Sequence, residues 1–390
     1  MRVLLAQNMR YLPSHGGANK SNRVMLEALA ARGHECVAVA PLAATRRQLS
    51  ERDFLAYLDG RGVAAEPADG AIVFTRAGVR VHVVTSGLPR YALKLAEAVK
   101  PDWTLVPSDD PGMLMLGLAQ RANPGRVVYL AHTLQQLPFG PRTFYPSASG
   151  RRLIGRCAGV VSVSRAAADY LREHGDLDSA VIHPDVYGPG PHPALGRPDG
   201  LVGLVNPCAY KGLPILLGLA DALPDVWFLA VVGWGTTPDD LVALAARPNI
   251  EIADPVDDIT DVLARLSVLL MPSLWDETFG YTAVEAMLHG VPVLASDVGG
   301  LGEAKLGVPH LLPVAPITAY TQREPGDPFP EPLVPPQDLG PWLDALRRLR
   351  TDPAHYADVA ASGRAAATAF VDNLDEYALE RYLSALEPAC

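Results

Sequence analysis

Short apolar runs separated by helix-length stretches recur along this chain, and they fall into two sets divided by a break rich in proline and glycine. In the first set the runs lie at 3–6, 37–40, 81–84, 103–106, 127–130 and 159–163. Their shortness and apolar character are those of strands covered on both faces. Strands that alternate with helices predict a parallel sheet sandwiched between helical layers. The break, YGPGPHPALGRPDG at 187–200, has no periodicity and reads as a linker. A second alternating set follows at 201–205, 227–232, 250–252, 266–271 and 292–295. The expected fold is therefore α/β with two doubly wound, Rossmann-like domains, residues 1–187 and 201–371, joined by 188–200. Ligands of such sheets bind beyond the carboxyl ends of the strands.

Composition agrees. A chain of 390 residues exceeds one ordinary core, and 49% hydrophobic residues suffice for two. The net charge of -10 argues against a polyanion-binding surface, so nucleic acid is not an expected partner and any phosphate has to be met locally. The cysteines, Cys36, Cys157, Cys208 and Cys390, are scattered and form no C-x-x-C pair, which indicates neither a disulfide framework nor a zinc site and fits a reducing cytoplasm. The first apolar stretch is too short for a signal peptide, and no run reaches the roughly 18 residues of a membrane span, so no stable membrane insertion is expected. Oligomeric state is not legible.

The densest chemistry lies in MPSLWDETFGYTAVEAMLHGVPVLASDVGG, 271–300. Pro272 and Ser273 end an apolar strand, and 282–289 reads as a helix closed by Gly290 and Pro292. Glu277 then sits in the loop and Glu285 on the helix. Backbone N–H groups around Gly280, Tyr281 and Thr282 make a helix N-terminus suited to an anion such as pyrophosphate. A carboxylate takes two hydrogen bonds from neighbouring hydroxyls, so Glu285 suits a ribose diol and Glu277 the hydroxyls of a sugar ring. Taken alone, two such glutamates are better read as a helix cap and a solvent-facing side chain, and it is the surrounding sequence that reverses this.

The segment 272–303 closely resembles the signature of GT4-type retaining glycosyltransferases, two glutamates separated by seven residues, followed here by Gly-Val-Pro-Val and by Gly299-Gly300. Further matches run in order: HGGANKSNRVMLEALAARGHE (15–35), VSVSRAAADYL (161–171), NPCAYKGLPILL (206–217) and VVGWG (231–235). The resemblance implies the GT-B arrangement, two Rossmann-like domains facing a cleft, and a last helix, 374–386 within 372–390, that crosses back to the N-terminal domain. It implies a nucleoside diphosphate sugar as donor substrate, with no cofactor and no metal; the lone D-x-D, Asp176-Leu177-Asp178, reads as a surface turn.

Residue roles follow the same resemblance. Lys211 matches the phosphate-binding lysine, and its ammonium would neutralise charge as the leaving group departs. The arginine usual five positions earlier is replaced by Asn206, which donates a hydrogen bond but carries no charge. Either another cation serves, Arg142 or Arg165 being candidates, or phosphate binding is weaker. Gly233 and Gly235 would let the nucleotide approach the backbone, Asp254 would border the base, and Phe279 joins Gly280 to Thr282 on the donor side. Gly16 and Gly17, between the first strand and a helix, suit either a close phosphate or hydroxyl contact or a tight turn. His132, just past its strand, matches the cleft histidine that would hydrogen-bond donor sugar or acceptor. Asp109 and Asp110 read as a turn and helix start.

The expected activity is transfer of a glycosyl group, with anomeric retention, to a soluble small-molecule or saccharide acceptor, with His132, Lys211 and Glu277 as the catalytic set. Two alternatives remain open: a nucleotide-sugar hydrolase or epimerase on the same fold, and a non-catalytic nucleotide-sugar-binding partner, to which Asn206 points. Residues 42–58, with Arg46, Arg47 and Arg52 among acidic neighbours, make a poor lipid-facing helix. The Pro-rich stretch 313–336 is longer than the family connection and reads as a disordered excursion or a lid.

Overall fold

The computed structural model describes residues 1–14, 16–43, 49–321 and 330–389. Arg46 and Arg47, the middle of the Pro-rich stretch and Cys390 lie outside these residues. The chain divides into two compact units, Met1–Val186 with Asp375–Cys390, and Tyr187–Leu374.

Among the described residues the first unit carries nine strands: β1 (Arg2–Ala6), β2 (Glu35–Pro41), β3 (Ala65–Ala68), β4 (Ala71–Arg76), β5 (Val79–Val84), β6 (Trp103–Pro107), β7 (Val127–Ala131), β8 (Gly159–Ser162) and β9 (Ala180–Val181). They are ordered β3-β4-β5-β2-β1-β6-β7-β8-β9. Strand residues alternate between faces, so Val3 and Leu5 enter one core with Met25, Leu26 and Leu29, whereas Leu4 and Ala6 enter the other with Ala92, Ala96 and Leu116. Both faces are covered, which is why these strands read as unbroken apolar runs.

One expectation needs correcting. The sheet is mixed rather than purely parallel, because β3, β4 and β5 form an antiparallel meander at its edge. Two tight turns make it. In one, Gly70 takes a left-handed φ of 76°; in the other, Ala77 and Gly78 have φ 44° and 78°, the paired left-handed values of a type I′ hairpin turn. The signal was present as Asp69-Gly70 and Ala77-Gly78.

The described residues of the second unit form a sheet of six strands: β10 (Leu201–Val205), β11 (Phe228–Val231), β12 (Ile250–Ala253), β13 (Leu266–Met271), β14 (Val293–Ser296) and β15 (Leu311–Leu312). All are parallel, in the order β12-β11-β10-β13-β14-β15. The proline- and glycine-rich break is not a free tether. The Leu195 and Gly196 N–H groups donate to His289 O at 2.8 and 3.2 Å, and Arg197 N to Leu266 O at 3.0 Å, so it is stitched to the second unit.

After the long helix Pro353–Asp372 the chain returns to the first unit as the helix Ala378–Ala385. Leu379 and Leu383, one turn apart, enter the core beside Val3. Tyr382 Oη donates to Val160 O at 3.3 Å, and Ala389 N to Gly125 O at 2.7 Å. This helix starts later than 374, because Asp375 Oδ1 accepts from Tyr377 N at 3.1 Å and holds a turn there.

Candidate functional site

In each sheet the strand order reverses beside the first strand of its unit, between β1 and β6 and between β10 and β13. At such a point the two chains leaving the strand ends diverge and open a crevice. The second unit concentrates its polar chemistry there. Asn206 leaves β10 with φ 62°, a left-handed conformation that Asn tolerates better than most residues. A short 3-10 turn, Ala209–Lys211, follows. Gly212 comes next at φ 78°, and any side chain at Gly212 would overlap the Pro272 carbonyl. Tyr210 O also accepts from Leu274 N at 2.9 Å. Lys211 is thereby held against the segment that leaves β13.

There Lys211 Nζ pairs with Glu277 Oε1. The same oxygen accepts from Ser273 Oγ at 2.5 Å and from Trp275 Nε1 at 3.1 Å. The Glu277 side chain is 12% exposed and that of Lys211 20%. Burial pushes the Glu277 carboxyl up, but the Lys211 charge and the three donors outweigh it and hold the group below the usual carboxylate range. Glu277 is thus a fixed anion, and its Oε2 accepts no hydrogen bond from the described residues.

Three glycines shape the loop. Gly300 N donates to Glu277 O at 2.6 Å, and side chains at Gly299 or Gly300 would run into the backbone of 276–279. Gly280, at φ 114°, begins the helix Tyr281–Leu288, one residue ahead of the expected start, with no capping side chain. An added Cβ at Gly280 would stand 2.6 Å from Leu301 Cδ2. Glu285 lies on this helix and is buried. The Phe279 ring is also buried, stacked 5.8 Å from Phe370 and tilted against Tyr281 at 5.4 Å, so its side chain belongs to the core.

The glycines after β11 are packed against the chain's own side chains. A Cβ at Gly233 would overlap the Asn206 carboxamide, and one at Gly235 would come 2.7 Å from Cys208 Sγ. Their bareness makes room for the chain's own side chains. Asn206 Oδ1 accepts from Gly235 N at 2.8 Å, while Nδ2 is buried with no hydrogen-bond partner among the described residues. Asp254 stands exposed just beyond the edge strand β12.

In the first unit, Gly16 caps the helix Gly17–Ala31 with φ 130° and open space around it. His132, just past β7, is buried. Its Nε2 lies 2.5 Å from Asn22 Oδ1, its backbone N–H donates to Ser108 Oγ at 3.0 Å, and Asn22 Nδ2 donates to Gln7 Oε1 at 3.1 Å. Burial lowers the imidazole pKa to about 4, so it works neutral and offers hydrogen bonds rather than charge. The two aspartates divide. Asp110 accepts from Leu114 N at 3.2 Å and Leu116 N at 2.9 Å, starting the helix Leu114–Ala122 as expected. Asp109 instead anchors the loop after β1, its Oδ2 accepting from Asn8 N at 3.0 Å and Met9 N at 2.8 Å. Burial raises Asp109 to about 7.

Arg142 and Arg165 belong to the first unit. The Ser273 and Trp275 contacts to Glu277 and the Asn22 contact to His132 were not read from the sequence. The former pair sits four and two residues before Glu277, a spacing that acquires meaning only in a tight loop. Among the described residues no cluster of three metal-ligating side chains occurs, and no helix is long and apolar enough to cross a membrane.

Solved structures share this architecture. Sucrose-phosphate synthase from Thermosynechococcus elongatus superposes with a TM-score of 0.66 at 19% identity over 98% of both chains. HepE of Anabaena, solved with UDP-glucose, gives 0.65 at 18% identity over 98% of both chains. These neighbours define the fold as GT-B. The profile described as "Glycosyl transferases group 1" matches residues 200–321, and that described as "Glycosyltransferase Family 4" matches 15–186. The chain belongs to the group 1, family 4 glycosyltransferases. The D-inositol 3-phosphate glycosyltransferase of Mycobacterium tuberculosis is 30% identical over 256 residues, 58% of this chain and 48% of that protein. The match thus spans about half the length of the curated relatives.

Proposed function

We propose that this protein transfers a sugar from a nucleoside diphosphate sugar to an acceptor hydroxyl or amine, with retention at the anomeric carbon and with a soluble small molecule or saccharide as acceptor. The observation that carries the reading is the Lys211–Glu277 pair set immediately before an uncapped helix start, with Glu285 on that helix. In this reading the backbone N–H groups at Gly280 to Thr282 and the Lys211 ammonium receive the diphosphate, Glu285 takes the ribose diol, and Glu277 a sugar hydroxyl. Lys211 then stabilises the charge that develops on the leaving phosphate, and that phosphate takes the acceptor proton. Glu277 serves in this reading as a fixed anion for a sugar hydroxyl rather than as a nucleophile, its Oε1 held by Lys211, Ser273 and Trp275. His132, neutral, orients a hydroxyl of sugar or acceptor.

UDP-glucose is the natural first probe, since HepE was solved with it. A thermal-shift panel of UDP, GDP, TDP and ADP with their sugars tests the reading. A ligand at 100 times its dissociation constant stabilises by about 2.7 kcal/mol. A shift with one nucleotide that disappears in Glu285→Ala supports the site, and no shift with any of them refutes it. Sugar release without an acceptor would point to a hydrolase. The uncharged Asn206 favours the second reading, a binding partner without turnover, which nucleotide binding with no transfer to any acceptor would support.

A further inference from the structure

The Pro-rich stretch has no part in the mechanism above, yet its described ends pack on Tyr210 and Leu274, which flank the Lys211–Glu277 pair. Tyr320 forms a bridge with Pro332, and Thr321 N donates to Glu331 O at 2.9 Å. This two-stranded base docks on the site. Ile317 N donates to Leu274 O at 2.7 Å, Tyr210 Oη donates to Pro330 O, and the Tyr320 ring stacks 6.4 Å from Tyr210. Tyr210 in turn packs 5.1 Å from Trp275. Trp275 touches both members of the ion pair, with its N–H on Glu277 Oε1 at 3.1 Å and Lys211 Nζ 5.1 Å from its ring centroid.

We infer that Trp275 is a positioning residue: braced through Tyr210 by the base of the Pro-rich segment, it commits Glu277 Oε1 to the protein and so presents Oε2 alone to the donor sugar. The physical argument is one of saturation. A carboxylate oxygen has two lone pairs, and Oε1 already meets an ammonium, a hydroxyl and an indole N–H. Rotation of the carboxylate would break all three bonds together. Trp275 itself is buried with its indole wedged between Tyr210 and Trp234, whose ring lies 5.8 Å away, so it supplies both a hydrogen bond and a wall that prevents the rotation.

The inference rests on the proposed sugar-binding role of Glu277, and its test separates the two. Trp275→Phe keeps an aromatic ring and removes the N–H; Tyr210→Phe keeps the ring and removes the hydroxyl that donates to Pro330 O. The Glu277 carboxyl is titrated by carbon NMR in the protein without ligand, and dissociation constants for UDP and UDP-glucose are measured beside it. Trp275→Phe should raise the Glu277 pKa and weaken UDP-glucose by about tenfold, the worth of one hydrogen bond to a charged group, with UDP unchanged. Tyr210→Phe should weaken UDP-glucose in the same selective way. An unmoved Glu277 titration in Trp275→Phe, or equal losses for UDP and UDP-glucose, would overturn the positioning role. If wild type binds neither probe, the donor reading fails, and the titration alone still decides whether Trp275 holds Glu277.

Discussion

Replacing Lys211 by Met leaves Glu277 as a buried carboxylate with two neutral donors and no countercharge. At an effective dielectric near 20, unit charges about 4 Å apart attract by roughly 4 kcal/mol. The loss is capped, however, because the carboxyl escapes by taking a proton. From its ordinary value of 4.5, that costs two and a half pH units at pH 7, about 3.4 kcal/mol at 1.36 kcal/mol per unit. The destabilisation at pH 7 should therefore lie at about 2 to 3 kcal/mol, within reach of the cost of breaking a buried pair. Its pH dependence carries the sharper test. In wild type the folded pKa of Glu277 lies below the unfolded value, so its contribution is present above about pH 4.5 and is lost as pH falls through the folded pKa. In the variant burial prevails, the folded pKa lies above the unfolded one, and the cost grows as pH rises. Urea unfolding at pH 5, 6, 7 and 8, followed by tryptophan fluorescence, should show the gap between the proteins shrinking toward pH 5. A gap below 0.5 kcal/mol at pH 7, or one independent of pH, would mean the pair acts as an ordinary surface ion pair and would refute the reasoning.

Gly233→Ala should cost about 1 to 3 kcal/mol by crowding the Asn206 carboxamide, and combining it with Asn206→Gly should recover part of that loss in a double-mutant cycle. Gly299→Ala and Gly300→Ala should each abolish the nucleotide-induced thermal shift, because both meet backbone of 276–279 that has no rotamer to yield. A retained shift in either would show that this loop is not part of the site. The His132 ring, lowered to about 4 by burial, should show no NMR titration between pH 5.5 and 8. Because the unfolded chain takes up this proton near pH 6.5 and the folded protein does not, His132 weakens the fold as pH falls from 6.5 toward 4. His132→Gln should remove that part of the acid sensitivity.

What the sequence determined by itself is the alternation. Apolar runs of strand length between amphipathic helices leave few solutions but two doubly wound sheets, since each run must be covered on both faces. The glutamate spacing and Lys211 were equally legible, being local: a strand end, a turn and a helix start within thirty residues put Glu277 and Glu285 where they stand. The tertiary structure decided which atoms meet. Nothing local brings Lys211 onto Glu277 across 66 residues, and it takes the adjacency of β10 and β13, a consequence of strand order, to do so. Nor does local sequence show that Gly233 and Gly235 are bare for the sake of Asn206 and Cys208, that Asp109 and Asp110 serve different loops, or that a Pro-rich excursion braces Trp275. Periodicity along a chain encodes which face is buried, whereas contacts between chain segments depend on how strands are ordered beside one another, and that order is fixed only when the whole sheet closes its core.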